Sequence, residues 1–218
     1  EYNELGKPWK KKLHSTNGGS SFTQTLDYDY HIRGWLKSVN NPNNLGSDLF
    51  AYELLYDQDN YGIGNTPIFN GNISSMVWKN QSGTLSGYNY FYDNLNRFSG
   101  AQGKLNTSGT WNYTYRFFEG NIAYSLNGNI QSLIRNNEST GSNMDNLQYI
   151  YTGNKLKKVT DQVAGGSLNY EFIGGANLAD EYLYDDNGNM IEDKNKGITI
   201  VYNYRNLPVT VTWADGRK

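Results

Sequence analysis

The tripeptide Asn-Gly-Asn followed by an apolar residue recurs along this chain and limits its fold more than any other feature. The copies are Asn70-Gly71-Asn72, Asn127-Gly128-Asn129 and Asn187-Gly188-Asn189. Asn-Gly is the strongest short-range signal for a β-hairpin, because a type I′ turn needs positive φ at both central residues. Glycine adopts positive φ without steric cost, and asparagine tolerates it better than most residues. The sequence therefore predicts tight hairpin turns at these three places.

Tyrosine pairs spaced two residues apart precede such turns. Tyr182 and Tyr184 precede the third copy, and Tyr28 begins a similar pair before a degenerate copy that contains Gly34. Residues two apart in a strand project from the same face, so each pair offers an aromatic row for cross-strand contacts of about 0.2–1 kcal/mol each. Because a single hairpin is marginal in water, the hairpins must pair edge to edge in a larger sheet.

The fold class follows from residue types that favour strands and tight turns. Tyr and Gly are abundant, with 19 and 24 residues, whereas Pro is rare, with 4, and Cys is absent. Aromatic and β-branched residues favour strands, and Asn and Gly favour the turns between them. We therefore predict an all-β fold in which successive antiparallel β-hairpins form one extended, curved or spiral sheet. The prediction treats residues 1–218 as a single repeat array.

Two segments depart from this pattern. Apolar residues at helix-like spacing predict a short helical turn within residues 44–57. The glycine-rich tract over residues 165–177 predicts a loop or a connection between strands.

Charge and hydropathy limit the partners of the chain. The formal net charge is -2, from 19 basic and 21 acidic residues, which gives no electrostatic reason to expect nucleic acid or an anionic membrane. Apolar runs are only a few residues long, so we expect no membrane span. Repeats cut at both termini predict a segment of a larger polypeptide, whose remainder is the main partner. Open strand edges also predict self-association, and the segment carries no signal peptide.

Candidate catalytic and metal-binding residues are few, and each has a structural interpretation. His14 and His31 lie in different repeats without a cysteine nearby, so we interpret both as ordinary strand residues and not as zinc ligands. The acidic residues around Asp185 resemble a calcium loop, but Gly188 falls too early and strands flank it, which favours a hairpin turn over a metal site. We expect no cofactor, no metal and no enzymatic activity.

Aspartates recur at what look like equivalent repeat positions, namely Asp29, Asp93 and Asp185. A residue repeated in every unit indicates a structural role, here the acceptance of hydrogen bonds from backbone groups of the turn. This interpretation is favoured over a pair of carboxylates for glycoside hydrolysis, whose separation is not visible in a sequence.

Two segments carry a resemblance to a known family. Residues 184–190 read Tyr-Asp-Asp-Asn-Gly-Asn-Met and match the pattern Tyr-Asp-x-x-Gly-Asn-apolar, while residues 92–98, which begin with Tyr92 and Asp93, match its Arg form with Asn96 in place of Gly. This pattern resembles the YD repeat of Rhs proteins, which is related to repeats of bacterial toxin-complex C proteins and animal teneurins. Degenerate copies extend the resemblance over essentially the whole chain.

The resemblance implies a long β-sheet that winds in a spiral and closes a hollow shell around a C-terminal toxic polypeptide. In the family, a core domain releases that polypeptide by aspartate-dependent autoproteolysis. This sequence contains neither the core cleavage motif nor a toxin domain, so the resemblance implies shell building and a secreted or cell-surface bacterial location only. The residues with implied structural roles are the turn residues Gly34, Asn70, Gly71, Asn127, Gly128, Asn187 and Gly188, and the aromatic and aspartate residues Tyr28, Tyr92, Asp93, Tyr182, Tyr184 and Asp185.

Carbohydrate binding is the alternative function. Exposed aromatic rings beside Asn and Asp would suit sugar stacking and hydroxyl recognition, although a large sheet also needs aromatics on its buried face, and core placement is favoured. The candidate tryptophans are Trp9, Trp35, Trp78, Trp111 and Trp213.

Overall fold

The computed structural model describes residues 1–163 and 171–217, and within them the protein has fifteen β-strands and no helix. Within each sheet, strands that follow one another in the sequence pair antiparallel. The predicted all-β class with successive antiparallel strands is therefore confirmed. The strands belong to two sheets, where the sequence predicted one.

Among the described residues, eleven strands form the first sheet in the order of the sequence. They are β1 (Lys10–Leu13), β2 (Gln24–Tyr30), β3 (Leu36–Val39), β4 (Phe50–Leu55), β5 (Ser75–Asn80), β6 (Ser86–Tyr92), β7 (Phe98–Thr107), β8 (Thr110–Tyr124), β9 (Ile130–Asn136), β10 (Asn143–Thr152) and β11 (Lys155–Asp161). The second sheet contains β12 (Tyr182–Tyr184), β13 (Met190–Asp193), β14 (Ile198–Tyr202) and β15 (Pro208–Trp213).

The chain divides into two compact units, Glu1–Phe118 and Glu119–Lys218. The helical turn predicted within residues 44–57 is wrong, because Phe50–Leu55 forms β4 and pairs with both β3 and β5. Of the predicted loop over residues 165–177, residues 165–170 lie outside the described residues, and residues 171–177 contain no strand. Within the described ranges, no helix is long and apolar enough to cross a membrane.

The core of the first unit lies between the sheet and the long connection from β4 to β5, residues 56–74. Ile63 of this connection is 1% exposed and packs with Leu55 and Val77. The Trp111 indole N–H donates to the Tyr61 carbonyl at 2.9 Å and fixes the same connection from β8. An irregular segment therefore supplies a central core residue.

The core of the second unit contains Leu147, Val159 and Tyr182 together with fully buried carboxylates. Glu181 accepts hydrogen bonds from the Val159 N–H at 3.1 Å and from the Asn195 amide at 2.9 Å. Its own N–H donates to the Lys157 carbonyl at 2.8 Å. Glu181 thus closes the outer edge of β11 with a side chain where the strand would otherwise leave a backbone N–H without a partner.

Candidate functional site: the repeat turns

Five-residue turns with the same hydrogen bonds recur along the described part of the chain. In each turn, the N–H of the first residue donates to the carbonyl of the fifth and the N–H of the fourth residue donates to the carbonyl of the first, at 2.7–3.0 Å. We call these segments the repeat turns. They are residues 3–7, 31–35, 93–97, 125–129, 185–189, 203–207 and 213–217.

Positive φ is confined to the fourth residue of each repeat turn. Gly128 and Gly188 have φ of 85° and 86°, whereas Asn127 and Asn187 are not in this region. The predicted type I′ geometry, with positive φ at both Asn and Gly, is therefore wrong. Hydrogen bonding and φ together define a three-residue loop in which a type I turn is followed by one left-handed residue, the G1 bulge arrangement.

Asparagine replaces glycine at the fourth position in two repeat turns. Asn96 has φ of 60° and Asn206 has φ of 58°, while Gly34 at the same position has φ of 81°. Asparagine is the residue that best tolerates this conformation after glycine, which explains why a degenerate copy keeps the same geometry.

The side chain at the first position locks the turn. Asp93 Oδ1 accepts from the N–H groups of Leu95 and Arg97, both at 2.9 Å, and its Oδ2 accepts from the Arg97 side chain at 2.7 Å. Asp185 accepts from the Asn189 N–H and from its side-chain amide, both at 2.8 Å. Both aspartates therefore accept hydrogen bonds from backbone groups of their own turns, as the sequence predicted.

Two other predictions about polar residues are wrong. Asp29 does not occupy the first turn position; it lies within β2 and pairs with Lys37 at 3.3 Å. His31 takes that position instead, and its Nδ1 accepts from the Arg33 N–H at 3.2 Å, so it is a turn residue and not a strand residue. His14 also lies outside the strands, directly after β1, with φ of 52°.

Asn70 and Gly71 do not form a tight hairpin tip. They lie in the connection from β4 to β5, whose strands pair from Leu55↔Ser75 onward. Gly71 has φ of 100° and faces the Trp35 ring so closely that an added Cβ would lie 2.9 Å from it. The Asn70-Gly71 pair therefore serves close packing against an aromatic ring and not strand reversal.

Side chains link successive turns in the first unit. Lys7 donates to the Gly34 carbonyl, Arg33 donates to the Phe69 carbonyl at 2.7 Å, and Asn70 donates to the Asn96 side chain at 2.8 Å. In every case the donor belongs to the earlier segment and the acceptor to the next one. We call this series of contacts, together with its counterpart in the second unit, the turn ladder.

The second unit repeats the turn ladder with the same direction. Asn127 and Asn129 donate to the Asn154 side chain at 3.3 and 3.1 Å. Lys155 donates to the Asp185 carbonyl at 3.5 Å. Asn187 and Asn189 in turn donate to the Asn206 side chain at 3.2 and 2.9 Å. The asparagines flanking Gly128 and Gly188 therefore bind the neighbouring turn.

Tyrosines at the ends of strands supply a second set of bonds between successive hairpins. In each bond, the hydroxyl of a tyrosine that ends a strand or directly follows one donates to a backbone carbonyl of the preceding hairpin. The pairs are Tyr30 to Pro8, Tyr56 to Leu36, Tyr92 to Ile73 and Tyr202 to Met190, at 2.8–2.9 Å. We call these the tyrosine bonds.

The remaining predicted tyrosines lie in strands. Tyr28 is a half-buried residue of β2, Tyr182 is buried in the second core, and Tyr184 lies directly before a repeat turn with Lys155 over its ring. Sequence reasoning missed the tyrosine bonds and the roles of Lys7, Arg33 and Lys155. A tyrosine directly before the first position of a repeat turn is the sequence pattern that would have predicted the tyrosine bonds.

Some of the candidate tryptophans pack against other aromatic rings, and others are exposed. Trp35 stacks on His31 at 5.3 Å between ring centroids, and Trp78 stacks on Tyr88 at 5.4 Å. Trp9 and Trp213 are 43% and 39% exposed. Across residues 1–163 and 171–217, no group of three or more His, Cys, Asp or Glu side chains is placed to hold a metal ion.

No family model and no curated protein matches this chain. A functional interpretation therefore depends on the geometry of the turns and strands.

Replacing Gly188 with alanine should destabilise the second sheet by about 1–2 kcal/mol, because the fourth position requires left-handed backbone. Gly188→Asn should cost less, since Asn206 holds the same position in the next repeat turn. Urea denaturation of both variants measures the difference. Equal losses for Ala and Asn would contradict the assigned geometry.

Acidification should weaken the repeat turns. The Arg97 N–H holds the pKa of Asp93 below its usual value, and the Asn189 amide does the same for the pKa of Asp185. A lowered folded-state pKa means that the stabilisation is present above the unfolded pKa and is lost as pH falls through the folded pKa. The double variant Asp93→Asn, Asp185→Asn keeps an acceptor, as Asn203 does naturally. Thermal melts should show a smaller loss of stability on acidification for this variant than for the wild type.

Proposed function

We propose that this chain is a non-catalytic structural segment of the β-sheet shell of an Rhs-like protein, which encloses or presents a C-terminal toxin or effector. The observation that carries the proposal is the turn ladder with its tyrosine bonds. Within each unit, successive hairpins are joined by contacts of the same kinds, several of them made by the asparagine and tyrosine residues that recur in the sequence. Such a wall can be lengthened by adding units without a change of design.

The chemistry of the recurring residues supports a structural role. The Asp93 and Asp185 carboxylates accept hydrogen bonds from their own turns, and the tyrosine hydroxyls donate to backbone carbonyls. These groups stabilise local geometry instead of converging on a reactive centre. The matching location is the bacterial cell surface or the medium, with the rest of the same polypeptide as partner.

Protease protection of the complete polypeptide encoded by the gene tests the proposal. The C-terminal region should resist a protease while the shell is folded and should be digested once denaturant opens it. The C-terminal region expressed alone is the control and should be digested under both conditions. A reading frame without further repeats, or a C-terminal region cleaved equally in the folded polypeptide, would overturn the shell role.

Carbohydrate binding is the second candidate, and it is favoured by exposed rings on β8. Tyr113 and Tyr115 are 69% and 68% exposed and lie two apart in the same strand. A glycan array comparing the wild type with the double variant Tyr113→Ala, Tyr115→Ala tests it. Binding that the variant loses while its melting curve is unchanged would favour the binding module; absence of binding by the wild type would exclude these glycans as ligands.

A further inference from the structure

The dipeptide Asn-Gly occurs four times in the chain, at Asn17-Gly18, Asn70-Gly71, Asn127-Gly128 and Asn187-Gly188. In such a dipeptide the backbone nitrogen of glycine can attack the side-chain Cγ of asparagine, because glycine has no Cβ to hinder the approach. All four asparagines are exposed, so access to water does not distinguish them. The four sites differ in the hydrogen bonding of the glycine N–H and in the packing around the glycine.

Two of the four glycines belong to repeat turns that hold their N–H groups. The Gly128 N–H donates to the Ser125 carbonyl and the Gly188 N–H donates to the Asp185 carbonyl, both at 3.0 Å. The attacking nitrogen must lose its proton, which would give up this hydrogen bond and place negative charge against a carbonyl oxygen. The geometry of the repeat turns therefore opposes the reaction at both of their Asn-Gly pairs.

The Asn70-Gly71 pair is constrained by packing. In the described part of the chain the Gly71 N–H has no acceptor, but Gly71 lies so close to the Trp35 ring that an added Cβ would clash with it. The Asn70 side chain donates to Asn96 at 2.8 Å and accepts from the Asn72 N–H at 2.9 Å. Attack on Cγ requires the peptide between Asn70 and Gly71 to rotate, and the ring and these two hydrogen bonds oppose that movement.

Neither constraint applies to Asn17, which lies in the loop that joins β1 to β2. Within the described residues, the Gly18 N–H donates no hydrogen bond, and an added Cβ at Gly18 would have no neighbour within 4 Å. The Asn17 Oδ1 accepts from the Ser15 hydroxyl at 3.0 Å and from the Ser21 N–H at 2.9 Å. These two donors withdraw electron density from Cγ and stabilise the negative charge that develops on Oδ1 during the attack.

We propose that Asn17 is a site of spontaneous deamidation, with water as the co-reactant, and the fastest of the four Asn-Gly sites in the folded chain. The Gly18 nitrogen gives its proton to solvent and forms a bond to the Asn17 Cγ. The bond from Cγ to Nδ2 breaks, and Nδ2 takes up a proton and leaves as ammonia. Water then opens the resulting succinimide at either carbonyl, which gives aspartate or isoaspartate. The reaction adds one negative charge and needs no oxidant or reductant.

The loop accommodates the aspartate product better than a repeat turn would. A carboxylate at position 17 keeps both contacts of Oδ1, and the Ser21 hydroxyl, which accepts from the Asn17 Nδ2 at 2.7 Å, can rotate and donate instead. At Asn127 and Asn187 the same change would replace the amide that donates to the next turn with a group that only accepts hydrogen bonds. Deamidation is thus fastest where its aspartate product disturbs the fold least.

Peptide mapping by mass spectrometry after incubation of the folded chain at mildly alkaline pH measures the rate at each site. Asn17 should deamidate at least about tenfold faster than Asn127 or Asn187, the factor that corresponds to loss of about one hydrogen bond. The same chain unfolded in guanidinium chloride is the control, and its four sites should react at similar rates. Equal rates at Asn17 and Asn127 in the folded chain, or a faster reaction at Asn70, would overturn the proposal.

Two variants test the chemistry and the origin of the protection. Asn17→Gln should form no isoaspartate at this position, because the longer side chain would have to close a larger ring, and its melting curve should match that of the wild type. Asp185→Ala removes the side chain that locks its repeat turn, so it should raise the rate at Asn187 and leave the rate at Asn17 unchanged. An unchanged rate at Asn187 would mean that the turn does not provide the protection, which would contradict the proposal. The reaction needs no cargo, so its outcome is independent of the shell function.

Discussion

Replacing Asp145 with alanine should lower the free energy of unfolding of the second unit by about 3–5 kcal/mol. The Asp145 side chain is fully buried, with 0% exposure. It accepts from the Arg135 side chain at 2.7 Å and from the Phe172 N–H at 2.7 Å. Alanine would leave both donors without their acceptor in the interior. Because Arg135 is 29% exposed and can turn partly to water, we expect a value near the lower end of this range.

Hydrogen exchange followed by mass spectrometry suits this measurement, because it reports on peptides of β9 to β11 without assuming that the two units unfold together. Asp180→Ala is the matched control, since Asp180 forms an exposed ion pair with Lys157 at 3.2 Å. It should cost less than about 1 kcal/mol. Similar losses of protection in the two variants would mean that the burial of Asp145 does not determine its contribution to the free energy of unfolding.

Replacing Ile63 with alanine should destabilise the first unit by about 2–5 kcal/mol. Ile63 is 1% exposed and packs against Leu55 and Val77. Its truncation leaves a cavity beneath the connection over residues 56–74, and this connection should then become more accessible to protease. Tryptophan fluorescence during urea denaturation and limited proteolysis measure the two effects.

A double-mutant cycle with Gly87 makes this prediction sharper. A Cβ at Gly87 would clash with the Cδ1 of Ile63, so Gly87→Ala alone should destabilise the unit by overpacking. Combined with Ile63→Ala, the added methyl group enters the vacated space, and the two losses should be less than additive. Ile32→Ala is the surface control, because Ile32 is 97% exposed. Additive losses would contradict the proposed contact.

The sequence was sufficient to predict the class of the fold, because its turn residues and aromatic pairs act locally. It was not sufficient to predict the turn type. Asn187-Gly188 is compatible with type I′, and the choice is made by Asp185, whose side chain accepts from the fifth residue of a longer turn. A pattern that includes the first position, Asp-x-x-Gly, describes the turn better than the dipeptide does.

Local sequence patterns could not predict the contacts between hairpins. They also could not predict which residue of an irregular segment lies in the core. The bond from Arg33 to Phe69 joins residues 36 apart, and nothing in either neighbourhood identifies the other. Ile63 lies in a segment without strand or helix periodicity, so no pattern marks it as a core residue. The helix-like spacing within residues 44–57 led to a wrong prediction because local spacing does not show strand pairing. Pairing with two neighbouring strands determined the structure of β4.

The strictly sequential order of the strands has a consequence for biosynthesis. After β1, every strand of the first sheet pairs with the strand that precedes it in the chain, so each new hairpin can add to an edge that has already formed while the remainder is still being translated. Local pairing of this kind keeps loop-closure entropy low and favours rapid folding compared with sheets built from distant segments. Folding from the N-terminus would leave a fresh edge at the growing end at every stage, and the lysines of β1 protect only the first edge to form.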